Sequence, residues 1–233
     1  MRTRDPRLAA VLALALPAAL LAPACTSTGI AVREAFGYAK REQLVDRVQD
    51  ARASQGEAKK QFESALAEFL AVTNAGANAK VADLESRYEK LKKEYERSEQ
   101  RAGQVRDRIT SVQAVADALF AEWRIELAQY KSESLRRASE RQLDDTRAQY
   151  DKLLAAMKAA EAKMTPVLAA FHDQVLFLKH NLNARAIASL QDTTAQIQGD
   201  VVALVREMEA SIAEADAFIA QMRADPAAPA PAQ

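Results

Sequence analysis

The sequence predicts an all-α protein, built as an elongated antiparallel coiled coil or four-helix up-down bundle, and three observations carry that prediction. Six of the seven prolines lie in the first 23 or the last 8 residues, so Pro166 alone interrupts the interior. The interior is rich in Ala, Glu, Lys, Gln, Arg and Leu, and the whole chain has only 6 glycines, a composition suited to long helices. Apolar residues recur every three and four positions over long stretches, the 3.5-residue repeat of a coiled-coil seam rather than the pattern of a short globular helix.

Each helix follows from its own seam. From Leu44 the series runs through Val48, Ala51, Gln55, Ala58, Phe62, Ala65 and Phe69 to Val72, giving a helix over 31–75. A second series from Val81 through Tyr88, Tyr95 and Ile109 to Trp123 gives a helix over 80–130. The third, Leu143 through Tyr150 and Met157 to Phe171, gives 134–180, and the fourth, Ile187 through Thr194, Ile197 and Leu204 to Met222, gives 184–224. The breaks fall at "NAGANAK" (74–80), at "YKSES" (130–134) and at "HNLNA" (180–184), where Asn183 is suited to cap the last helix. Helices of such similar length stack into a rod roughly 60–75 Å long at 1.5 Å rise per residue. The rival is a three-helix rod in which the second helix runs on and reverses near Pro166, because Thr followed by Pro makes a good helix start. "ADPAAPAPAQ" lacks periodicity, and 225–233 reads as a disordered tail.

The N-terminal stretch has a different character. Arg2, Arg4 and Arg7 precede an Ala/Leu run over 8–21, about 14 apolar residues where a spanning helix needs roughly 20, so 1–24 reads as a removable signal peptide. Two cleavage readings compete at its end. Ala22-Pro23-Ala24 fits ordinary signal peptidase. Leu21 to Cys25 resembles a lipobox whose cysteine is acylated, although Pro23 stands where Ala, Ser or Thr is usual. The lipoprotein reading is preferred because Cys25 is the only cysteine and has no disulfide partner in the chain. Residues 25–30 then form a lipidated tether, and Thr26 rather than an aspartate after the cysteine favours the outer membrane.

Chemistry is sparse. The charge is balanced, 32 basic against 32 acidic residues, which leaves no footprint for nucleic acid. Phosphate-loop, dinucleotide, nucleophile-elbow and HExxH patterns are all missing, so the expectation is a non-enzymatic protein without cofactor or metal. His172 and His180 lie about 12 Å apart along one predicted helix, too far to share a metal ion, although Asp173 adjoins the first. The strongest candidate contact site is "LKHNLNAR" (178–185). Its Lys179, His180, Asn181, Asn183 and Arg185 gather polar groups at a turn, where they either cap helices or meet a partner or an anionic headgroup. Phe120, Trp123 and Tyr130 form an aromatic group near the second break, read as core. The basic stretch "SLRRASER" (134–141) reads as a solvated helix face.

Two long stretches, "FGYAKREQLVDRVQDARASQGEAKKQFESALAEF" (36–69) and "PVLAAFHDQVLFLKHNLNARAIASLQ" (166–191), resemble the uncharacterised proteobacterial lipoproteins grouped as Domain of Unknown Function 2959. The resemblance extends over about 37–222 and implies an exported helical protein with no established activity, so no site residues transfer from it. The leading expectation is therefore a structural or adaptor lipoprotein, lipidated at Cys25 on the periplasmic face of the outer membrane. Its partners are the membrane, a second copy or another envelope protein. The alternative is a periplasmic ligand- or metal-binding helical module around His172, His180 and Asn183.

Overall fold

The computed structural model describes residues 40–74 and 81–224. They form four helices: α1 (Lys40–Thr73), α2 (Val81–Leu127), α3 (Glu133–His180) and α4 (Ala184–Ala224), with no strand among the described residues. Each helix packs on its neighbours in the chain, and α4 closes the ring against α1. Cross-helix pairs fix the directions. Along α1, Arg52 meets Asp216 and Lys59 meets Glu209 of α4, so positions that rise in one helix fall in the other. The same inversion relates α1 to α2, where Asp50 pairs with Arg108 and Glu57 with Arg101. The result is the up-down four-helix bundle expected from the seams.

The seams form the core. In α1 every position from Leu44 to Val72 in the heptad series is buried. α3 contributes Leu143, Tyr150, Leu153, Met157, Met164 and Phe171, and α4 contributes Ile187, Ile197, Leu204 and Met208. Rings meet across the interior. Phe69 of α1 lies edge-on to Phe171 of α3 with centroids 6.3 Å apart, and Phe120 of α2 meets Tyr150 of α3 at 5.4 Å. The guanidinium of Arg147 covers the Phe120 ring at 5.0 Å. Burying each such side chain stabilises the fold by roughly 1.5–3 kcal/mol, whereas an exposed ion pair adds about 0–1 kcal/mol. Heptad packing therefore sets the architecture, and the surface charges trim it.

Local chemistry accounts for the ends. α3 starts at Ser132, whose backbone is extended and whose Oγ accepts a hydrogen bond from the Leu135 N–H. Glu133 in its first turn suits the positive end of the helix dipole, and hydrogen bonds from Arg136 and Arg137 hold its carboxyl below the usual carboxylate range. α4 starts at Asn183, whose Oδ1 accepts from the Ala186 N–H at 3.0 Å, the cap expected from the sequence. Of the "NAGANAK" break only Asn74 is described; the Asn74 N–H bonds back to the Leu70 carbonyl.

The three-helix alternative is ruled out. Pro166 lies inside α3, which runs unbroken to His180, and the reversals fall at 128–132 and 181–183. Met164 and Val167 on either side of the proline are both buried, so a reversal there would pull a continuous apolar stripe off the core. Pro166 itself is exposed, where the carbonyl it leaves unpaired can meet water. Two seam positions are only half buried. Tyr95 borders a groove between α2 and α3, and Thr194 lies at the level where the described part of α1 ends.

Candidate functional site

The turn between α3 and α4 collects the five residues singled out in the sequence, but it uses two of them structurally. Asn181 donates its side-chain amide to the Phe177 carbonyl at 2.9 Å and its backbone N–H to the Leu178 carbonyl, so it closes the end of α3. Asn183 caps α4. Lys179, His180 and Arg185 are exposed and enter no ion pair or hydrogen bond among the described residues. Leu176 and Phe177 lie exposed on the adjoining turns of α3. The turn thus presents three basic groups that pair with nothing among the described residues, beside two exposed apolar side chains.

A groove lies elsewhere. Tyr95, Glu99 and Arg106 of α2 face Thr165, His172 and Asp173 of α3 across an open groove of about 500 Å³. The Tyr95 and His172 rings meet in a tilted contact, centroids 5.7 Å apart and planes inclined by 48°, and His172 Nδ1 lies 3.7 Å from Asp173 Oδ1. Arg106 bridges toward Glu161 at 3.7 Å and Thr165 at 3.5 Å. Burial, together with a hydrogen bond to Glu99, raises the Tyr95 phenol well above its ordinary value. The groove offers two mutually inclined rings, one guanidinium and two carboxylates, a set suited to holding a small polar molecule or a partner side chain.

His172 belongs to this groove and His180 to the turn, so the two histidines do not converge. Among the described residues no group of three or more His, Cys, Asp or Glu is placed to hold a metal ion. Phe120 and Trp123 are core, and the Trp123 indole N–H donates to the Ser139 hydroxyl at 2.8 Å, while Tyr130 is half buried at the break. Cys25, the 1–24 signal, the 25–30 tether and the 225–233 tail lie outside the described residues. The sequence reading missed the groove because its walls come from two helices and only their register joins them. His172 beside Asp173 was the one local signal.

Two tyrosines give a direct check on burial. Tyr150 is pushed up to about 12 by burial, reinforced by Asp117 and Asp151. A phenol raised above its unfolded value of about 10 stabilises the fold below pH 10, and that contribution disappears as the pH climbs through the folded value. Alkaline titration of tyrosinate absorbance is expected to show two late tyrosines, one of which vanishes in Tyr150→Phe. The bundle is expected to weaken between pH 10 and 12. A titration that Tyr150→Phe leaves unchanged above about pH 11 would contradict this packing.

A family model described as protein of unknown function (DUF2959) matches residues 30–222. No curated protein and no solved structure matches the chain.

Proposed function

The chain belongs to the DUF2959 family, and on that premise we propose that it is a non-enzymatic structural or adaptor lipoprotein of the cell envelope, lipidated at Cys25 and held at the periplasmic face of the outer membrane. The observation that carries this reading is the position of the single cysteine. It directly follows a basic and then apolar stretch, and it stands 15 residues ahead of α1. No described helix is long and apolar enough to cross a membrane, so in this reading attachment rests on acyl chains, each buried CH₂ contributing about 0.8 kcal/mol. The bundle supplies a rigid body with charged flanks for a second copy or another envelope protein.

The test is the intact mass of the mature protein recovered from membranes, beside Cys25→Ser. An N-terminal Cys25 carrying acyl mass, with the variant released from the membrane fraction, is the expected result. A bare chain beginning at Cys25 would overturn the tether. In-cell crosslinking that returns only monomer would remove the adaptor role.

The groove between α2 and α3 favours a second reading, the ligand-binding form of a periplasmic ligand- or metal-binding module, because the Tyr95 and His172 rings meet there beside Arg106 and two carboxylates. A ligand bound only by the folded state raises the melting temperature. This reading expects a rise with Zn²⁺, Cu²⁺ or lipid that His172→Ala abolishes, and a flat response to all three would count against it.

A further inference from the structure

The end of the bundle where α1 begins is uneven. Lys40 Nζ meets Glu122 Oε2 at 2.9 Å, and the Arg41 guanidinium donates to the Met222 carbonyl at 2.8 Å, so α1 starts and α4 finishes at this level. α2 runs five residues beyond Glu122 before ending at Leu127, and α3 begins at Glu133. The α2–α3 hairpin therefore extends past the described parts of its two neighbours by roughly 8 Å at 1.5 Å per residue. Below the tip, the Trp123 indole N–H donates to the Ser139 hydroxyl and ties α2 to α3.

That tip carries apolar side chains in the open. Ile125 is 66% exposed and Leu135 is 56% exposed, with half-buried Tyr130 between them in the chain. Leu135 lies one turn before the buried Ser139, on the face that packs inward along the rest of α3. At the tip that face has run past the described parts of α1 and α4.

The charges around it are unequal in their commitments. Glu133 is held by Arg136 and Arg137, Glu140 by Arg136, and Glu122 by Lys40, while Glu126 alone of the acidic groups at the tip makes no ion pair among the described residues. Arg124 and Lys131 make no ion pair among the described residues. Apolar side chains flanked by free cations suit the boundary between acyl chains and anionic headgroups.

We propose that the α2–α3 tip is a lipid-contact site, Ile125 and Leu135 entering the acyl boundary while Arg124 and Lys131 meet anionic headgroups. The occupant is argued from where the chain leaves this end. Only 15 residues separate Cys25 from Lys40, at most about 50 Å of extended chain. An acylated Cys25 thus holds this same end within reach of the bilayer, and the α3–α4 turn points away from it. The inference rests on the lipoprotein reading for its geometry, and it adds a second contact that orients the rod.

The experiment uses the mature protein in vesicles of zwitterionic lipid with an anionic fraction. A polarity-sensitive fluorophore is placed by Ile125→Cys, or by Leu176→Cys near the opposite end. The expected result is a blue-shifted emission at the tip, quenched by spin-labelled lipid, with no change at Leu176. Leu135→Ser in the unlipidated Cys25→Ser chain is expected to lose about tenfold in vesicle affinity. A tip label equally shielded with and without vesicles would mean that residues 31–39 or a second copy cover it, and would overturn the proposal. So would a tip label that stays solvent-exposed on vesicles. Intact mass reads the lipid separately: a bare mass with a responding tip removes the tether and keeps the contact, and an acylated mass with a silent tip does the reverse.

Discussion

Phe171→Ala is expected to destabilise the bundle by about 3–5 kcal/mol, the cost of removing a fully enclosed aromatic ring and leaving a cavity that its neighbours cannot close. Phe171 is completely buried, and it meets Phe69 edge-on across the core, from helices that do not pack directly on each other. The two rings therefore join opposite corners of the ring of helices, so their loss is felt by the whole cross-section. The urea midpoint should fall with an unchanged slope, and the Phe69→Ala/Phe171→Ala pair should show coupling of about 0.5–1.5 kcal/mol. A loss under 1 kcal/mol for Phe171→Ala would mean that this layer is not closed in solution.

The fold was legible because coiled-coil seams state their periodicity in residue type. Leu44 to Val72, Leu143 to Phe171 and Ile187 to Met222 announce which face is inside, and the sparse glycines and prolines leave few places to turn. Pro166 was the ambiguous signal. A Thr-Pro pair starts helices as readily as it kinks them, and only the buried Met164 and Val167 on either side decide that α3 continues. Asn183 could be read as a cap from sequence because capping is local chemistry, whereas the Tyr95–His172 contact could not. Those two residues are 77 positions apart in sequence, and nothing in either stretch encodes the register that joins them. The exposed tip was hidden for the same reason. Leu135 lies one turn before Ser139 on the inward face of α3, and only the bounds of the described parts of α1 and α4 show that they end below it.

Gln55 reverses the sign of the usual core substitution. It occupies a seam position of α1 with 0% exposure, and its Oε1 accepts a hydrogen bond from the buried Ser211 hydroxyl of α4 at 3.0 Å. Its Nε2 has no partner, and an orphaned buried donor costs about 1–3 kcal/mol. Gln55→Leu nearly conserves volume and removes that donor, and the Ser211 hydroxyl can turn to a carbonyl of its own helix. The variant is expected to be more stable by about 1 kcal/mol or more, read as a raised urea midpoint. A loss of similar size would show that buried water satisfies Nε2 in the native protein.

A polar pair at this place has a physical use. α1 and α4 are the only neighbouring helices that no turn connects, so no short loop fixes their relative height. Along that one interface lie the bidentate Arg52–Asp216 pair, the Lys59–Glu209 pair, the Arg41–Met222 hydrogen bond and Gln55–Ser211. The first three are at the surface or half buried, where salt and water weaken them. Gln55–Ser211 alone is dry, and a one-heptad slip would leave the whole Gln55 amide unpaired in hydrocarbon, whereas Ser211 can turn to its own helix. The stabilised Gln55→Leu chain should therefore hold its α1–α4 register less uniquely, visible as broadened methyl resonances for Val48 and Leu204. Sharp, single resonances together with higher stability would instead assign the register to the surface pairs and to the packing of Phe62 and Phe69.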